Sequence, residues 1–245
     1  MVQARNASVA VIGAGDFIGA AIARRFAAEG YVVHAGRRNG EKLEPLVAEI
    51  AAAGGRCAGH NLDARDEVEV TRFFAAADAA APLEVCIFNV GANVNFPILD
   101  TTERVFRKVW EMACYGGFLA GREAARLMLP RGQGSIFFTG ATASLRGGPG
   151  FAAFASAKFG LRAVAQSMAR ELGPQNIHVA HLVIDSGVDT AWVRQMRADR
   201  TGGGAPEPDV LMAPASIAET YWRLHQQTRD GWTHELDLRP YGERF

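Results

Sequence analysis

Cysteine is scarce. The 245 residues include three, Cys57, Cys86 and Cys114, far apart and without the CxxC spacing of a zinc site or the even count of a disulfide framework. They are expected to be small buried apolar residues, and no metal site is expected. An excess of either charge is also missing. Lysine plus arginine and aspartate plus glutamate each number 26, for a net charge of +0. The chain therefore has neither the basic footprint of a nucleic-acid binder nor the pull toward an anionic membrane. No window reaches the length of an uncharged bilayer-spanning helix. The opening "MVQARNASVAVIGAG" lacks a basic segment, a long apolar stretch and a small-residue cleavage site. The expectation is a soluble, cytoplasmic protein that acts on a small molecule.

What is present is alternation. "SVAVIG" (8–13) precedes a helical pattern over 17–29, and "YVVHAG" (31–36) precedes one near 41–53. "VCIFN" (85–89), "SIFFTG" (135–140) and "HVAHLVI" (178–184) read as buried strands, with helices near 104–129 and 152–172 between and around them. Strands alternating with helices build βαβ units. Right-handed crossovers then give an α/β fold, a doubly wound parallel sheet of Rossmann-like, three-layer α/β/α form in a single domain over 1–245. Ligands of such sheets bind beyond the carboxyl ends of the strands. The stretch 185–214 is rich in glycine and proline with a short helical piece, as a mobile substrate lid would be. "WTHELDLRP" (232–240) reads as a last edge strand.

After the first strand comes "GAGDFIG", with Gly13, Gly15 and Gly19. Glycines there permit a tight turn, bring backbone amides to a pyrophosphate and let helix and strand pack closely, while the helix N-terminus adds partial positive charge. Phe17 and Ile18 complete this turn. A plain glycine-rich βα turn is the alternative. At the end of the second strand, where an NAD-selective site carries an acid, stand Gly36, Arg37 and Arg38. An arginine there pairs with an added ribose phosphate, so NADP(H) is favoured over NAD(H). Solvated helix-start charges are the alternative for both arginines.

In these motifs and their order the chain resembles the short-chain dehydrogenase/reductase family over nearly its whole length. "GAGDFIG" stands for the family's TGxxxGxG, with Ile12 replacing the threonine and Phe17 the middle glycine. From "NLDARDEV" the resemblance implies that Asp63 meets the adenine amino group, with Leu62 and Ala64 beside the ring. From "FNVGA" it implies that Asn89 and Gly91 shape the strand end over which the cofactor lies. "DSGVDT" takes the place of the PG…T segment, which makes the Val188 backbone and Thr190 partners of the nicotinamide carboxamide, with Asp185 and Ser186 in place of Pro-Gly. A homodimer or homotetramer built through the two long helices is also implied.

Carbonyl reduction needs hydride and a proton. The family draws the proton from the tyrosine of YxxxK; its lysine holds the nicotinamide ribose, a serine polarises the carbonyl, and an asparagine holds a relay water. Here "FASAKFG" puts Phe154 at the tyrosine and Lys158 at the lysine, Ala141 stands at the serine, and Ala113 at the asparagine. Phenylalanine has no proton to give. Replacement donors among nearby hydroxyls are Thr142, Ser144 and Tyr115, or a water held by Lys158. Asn93, Asn95 and Arg146 are placed to meet substrate, though turn formation and solvation account for them as well. Two functions follow: an oxidoreductase with a non-standard proton donor, or a non-catalytic dinucleotide-binding protein serving as redox sensor or partner subunit.

Overall fold

The computed structural model describes residues 3–200 and 210–242. Its frame is a seven-stranded sheet of order β3-β2-β1-β4-β5-β6-β7, with every pairing parallel. The strands are β1 (Ser8–Ile12), β2 (Val32–Arg37), β3 (Arg56–Asn61), β4 (Leu83–Phe88), β5 (Gly134–Thr139), β6 (Ile177–Ile184) and β7 (Glu235–Leu238). β1 and β6 are buried at every residue. This is why they read as mostly apolar runs, with Ser8, His178 and His181 the buried polar exceptions: a strand covered by helices on both faces has no solvent side to mark with polar residues.

On one face α1 (Ile18–Ala28), α2 (Glu44–Ala52) and α8 (Pro214–His225) pack Phe26, Ile50, Tyr221 and Trp222 against Val9, Val11, Val33, Ile87 and Phe137. On the other, α3 (Glu67–Ala80), α5 (Gly116–Met128) and α6 (Ala152–Leu172) pack Phe74, Leu119, Met128 and Leu161 against Ala10, Ile12, Phe88 and Phe138. Phe26 and Phe137 are fully buried, and each such side chain contributes about 1.5–3 kcal/mol. The three-layer α/β/α expectation holds.

Three elements lie where the sequence showed no clear pattern. β3, "RCAGHN", is half-exposed along its length, as an edge strand is, and so lacks an apolar run. α3 is started by Asp66, whose Oδ1 accepts from the amides of Val68 at 2.9 Å and Glu69 at 3.0 Å. α8 follows the stretch expected as a lid. The helical pattern at 104–129 is α4 (Glu103–Trp110), a π-helical turn (Glu111–Tyr115) and α5. Within 185–214 the structure has α7 (Ala191–Arg200) and a bridge from Val188 to Met212; positions 201–209 lie outside the described residues. The tail forms β7 beside β6. All three cysteines are free, with Cys86 and Cys114 buried and Cys57 half-buried. Among the described residues no helix is long and apolar enough to cross a membrane.

Candidate active site

The strand order reverses between β1 and β4, and a cleft of about 1330 Å³ opens beyond these strand ends. Gly13 begins its floor. It adopts φ +82°, and a Cβ there would lie 2.8 Å from the Asn89 carbonyl oxygen, so both conformation and space require glycine. Asn89 ties the two strand ends together, donating from its amide nitrogen to Ile12 O at 2.8 Å and from Nδ2 to Gly13 O at 3.1 Å. At Gly19 a Cβ would sit 2.5 Å from Ala14 Cα, the close helix-to-strand approach expected of this turn. Gly15 differs, because a Cβ there would meet nothing within 4 Å. The residue lines the cleft, and the space above it is what a phosphate needs to reach the backbone amides. Phe17 and Ile18 line the same wall; Phe17, 48% exposed, begins α1 without a side-chain cap.

The second strand end is cationic. A Cβ on Gly36 would lie 2.5 Å from Leu62 Cδ2, so packing disfavours an acid at that position. Arg37 pairs with Asp16 at 2.7 Å, a partner not foreseen from the sequence although both flank strand ends that lie side by side. Arg38 and Lys42 also line the cleft and make no ion pair among the described residues. Leu62 and Ala64 are buried beside them. Between them Asp63 is gripped by Arg65, whose Nε lies 2.9 Å from Oδ1. This hydrogen bond holds the Asp63 carboxyl below its usual range. Gly91 borders the cleft a little further along.

The far end is built by β5, α6 and the chain after β6. Lys158, 3% exposed, donates from Nζ to Thr139 O at 2.7 Å and to Val90 O at 3.3 Å. An ammonium has three protons, which leaves one for a ligand. Burial lowers its pKa to about 8. Phe154, one helical turn earlier and 8% exposed, lines the cleft with its ring centroid 5.9 Å from Nζ. Ala141, Thr142, Asn93, Arg146, Val188 and Thr190 line the same end. Thr190 Oγ1 accepts from the Val193 amide at 3.1 Å, starting α7.

Several sequence candidates stand elsewhere. Ser144 is fully buried, and its Oγ accepts from the Ala141 amide at 3.1 Å, which takes it off the cleft wall. Ala113 is buried in the π-helical turn, where Met112 is the residue that reaches the cleft. Tyr115 stacks between Trp110 and Phe118 and borders a separate small hollow beside Arg65. Asn95 donates to Pro149 O at 3.2 Å and braces a loop. Asp185, read from sequence only as a change of loop geometry, is 2% exposed at the end of β6. Its Oδ1 receives the Thr142 hydroxyl, and Arg239 Nη2 lies 2.7 Å from Oδ2. A lone carboxylate straight after the apolar run 182–184 was the available signal.

Fold and cleft together define a doubly wound α/β protein with a cleft at its topological switch point, and comparison narrows this. Residues 7–201 match the family model for short chain dehydrogenases, and the chain belongs to that family. It is similar to a crystal structure of a short-chain dehydrogenase from Rhodopseudomonas palustris, 67% identical with a TM-score of 0.84 over 97% of this chain and 100% of that one. The short-chain reductase protein NovJ of Streptomyces niveus is 30% identical over 219 residues, which are 89% of this chain and 81% of its own. The alcohol dehydrogenase of the archaeon Thermococcus sibiricus, solved with 5-hydroxy-NADP, is 25% identical with a TM-score of 0.83 over 97% of both chains.

Proposed function

We propose that this protein is an NADP(H)-dependent oxidoreductase that transfers hydride to or from a small carbonyl or alcohol, with a proton route other than the family's serine and tyrosine. The observation that carries this reading is the pairing of opposite cleft ends. Arg38 and Lys42 have no ion-pair partner at one end among the described residues, and Lys158 keeps a buried ammonium with one proton to spare at the other. The residues present fit the cofactor. Gly15 leaves its backbone open to a pyrophosphate, Arg38 reaches toward a ribose phosphate, Lys158 meets the nicotinamide ribose, and Val188 and Thr190 border the place of the carboxamide. The complex of the Thermococcus sibiricus relative with 5-hydroxy-NADP supports the same choice.

The bound nicotinamide would supply or take the hydride. Everything else falls to the chain: Lys158 orients the ribose, Phe154 excludes water from one side of the reacting carbon, and Ser186, Gly187, Val188 and Thr190 border the mouth. Phe154 has no proton to donate. Loss of a positioned acid forfeits about 100- to 10,000-fold, so slow turnover by the family's own route is expected. The exposed Trp110, Phe118 and Phe159 on α4 to α6 fit a homodimer or homotetramer formed through these helices.

A second reading, a dinucleotide-binding protein without turnover, is favoured by the substitution of Phe154, Ala141 and Ala113 together. Fluorescence titration with NADPH and NADH, followed by a substrate screen with whichever binds, separates the two. Saturable binding stronger for NADPH is expected, with turnover of at least one substrate. Binding without turnover leaves the second reading, and no binding of either cofactor overturns both.

A further inference from the structure

Among the described residues that line the cleft, the side-chain hydroxyls belong to Thr139, Thr142, Ser186 and Thr190. Thr139 Oγ1 is bonded to Tyr221 Oη at 2.7 Å, Ser186 Oγ donates to Val210 O at 3.2 Å, and Thr190 starts α7. Thr142 alone is joined to a carboxylate, that of Asp185. It follows Ala141 directly and shares the cleft end with Phe154, Lys158 and Val188.

The direction of that hydrogen bond decides what Thr142 can receive. A hydroxyl has one proton and two lone pairs. Asp185 takes the proton, so toward the cleft Thr142 offers lone pairs only. Those lone pairs attract an O–H group and repel a carbonyl oxygen. Asp185 itself is buried with its charge balanced by Arg239 at 2.7 Å and Arg146 at 3.6 Å from Oδ2. The Arg239 contact is an ion pair not aligned as a hydrogen bond. Buried carboxylates unconnected to a task are costly, and a nonpolar residue at a strand end would avoid that cost.

We propose that Thr142 is a catalytic residue that accepts the hydroxyl of an alcohol substrate, and that Asp185 takes the proton Thr142 gives up. The inference rests on the cofactor reading above and adds to it the substrate class and the proton route. As the alcohol is oxidised, its O–H bond breaks and the proton passes to Thr142 Oγ1, while the Thr142 hydroxyl proton passes to Asp185 Oδ1. The carbinol C–H bond breaks at the same time, its electron pair leaving with hydrogen to oxidised NADP as electron acceptor, and the C=O bond forms. Asp185 returns its proton to water through Thr142 once the ketone has left. Reduction of the ketone is the same path reversed.

The test uses the full chain saturated with NADP, with cyclohexanol and a panel of secondary alcohols and their ketones as probes. Calorimetry should show the alcohol binding this complex more tightly than its ketone. Thr142→Val should remove that preference and lower kcat by about 100-fold or more, and Thr142→Ser should keep activity within about tenfold of the parent, because it restores the same donor and acceptor. Asp185→Asn keeps an acceptor for Thr142 but takes up no proton, so kcat should fall with KM for the alcohol little changed. Difference infrared spectra should show a carboxylate becoming a carboxylic acid during turnover, absent in Asp185→Asn. Urea midpoints confirm that each variant folds, and Thr142→Ser keeps the test valid if Asp185→Asn does not. Equal affinity for alcohol and ketone, or unchanged kcat in Thr142→Val, overturns the proposal. If NADP binds and no alcohol is bound or oxidised, this proposal falls alone; if NADP does not bind, the cofactor reading falls first.

Discussion

At the phosphate end of the cleft, Gly13 and Gly19 are held in place by backbone atoms that a single added carbon would strike, 2.8 Å and 2.5 Å away. At the other end, beside Lys158, Phe154 and Ala113 are core residues and Ala141 packs against them; on the proposed reading they stand where the family has tyrosine, asparagine and serine. The contrast separates two kinds of constraint. A residue that shapes the backbone cannot change without cost to the whole fold. A residue that only moves a proton can be replaced by one of similar shape, and the packing is unaffected. Lys158 belongs to both groups, since its stem is buried and its head is bonded to two strand-end carbonyls.

The largest expected effect comes from reversing that contrast. Phe154→Tyr combined with Ala141→Ser should create or raise NADPH-dependent carbonyl reduction by about 100-fold or more, the contribution of a positioned acid. An assay over a ketone and aldehyde panel checks it, with cofactor binding confirmed; no gain would mean that more than two side chains separate the two ends. Next in size, Gly13→Ala should cost about 1–3 kcal/mol in urea unfolding because of its positive φ. Gly15→Ala, placed in open space, should leave stability within about 0.5 kcal/mol while weakening NADPH binding. Equal stability losses would erase the distinction between the two glycines.

Lys158 provides a smaller, pH-dependent effect. Burial lowers its pKa to about 8 from 10.5, so between these values the unfolded chain binds the proton that the folded chain has released. Stability of the cofactor-free protein should therefore rise with pH across that window, the charged form being the one penalised below it. Urea melts at several pH values, compared with Lys158→Met, check this: the variant should lose that part of the slope. The smallest expected effect is at Asp16. Asp16→Asn frees Arg37 from an exposed pair worth about 0.2–1 kcal/mol, and NADPH affinity should increase by up to about fivefold. A decrease would show Asp16 itself to be part of the cofactor site.

The buried strands β1, β4, β5 and β6 were legible because burial on both faces leaves mostly apolar runs, broken by Glu84 in β4 and by His178 and His181 in β6, and the glycines and Lys158 were legible because their spacing is fixed by the chain. The edge strand β3 was not, since its half-exposed face mixes arginine, histidine and asparagine. Ser144 and Thr142 were indistinguishable in sequence: two residues apart in one turn, one points into the core and the other lines the cleft, and only their partners, the Ala141 amide for Ser144 and Asp185 for Thr142, decide which. The Asp16 to Arg37 pair, the grip of Arg65 on Asp63 and the burial of Asp185 likewise depend on segments distant in sequence, and local patterns contain no record of them.

The π-helical turn at Glu111–Tyr115 bears on how reversible the present state of the site is. A π-helical turn holds one residue more than a regular turn, so a one-residue deletion within it would restore a regular helix while α5 keeps its facing relative to α4. Gly116 and Gly117, where a Cβ would lie 2.9 Å from Ala64 O and 2.3 Å from Leu161 Cδ1, would still face those neighbours. Deleting the turn's extra residue is thus a local change, as is a point mutation of the side chain at Ala113 within it. The turn is therefore a place where the cleft wall around Met112 and Ala113 can change one residue at a time while the helices that carry it stay in place.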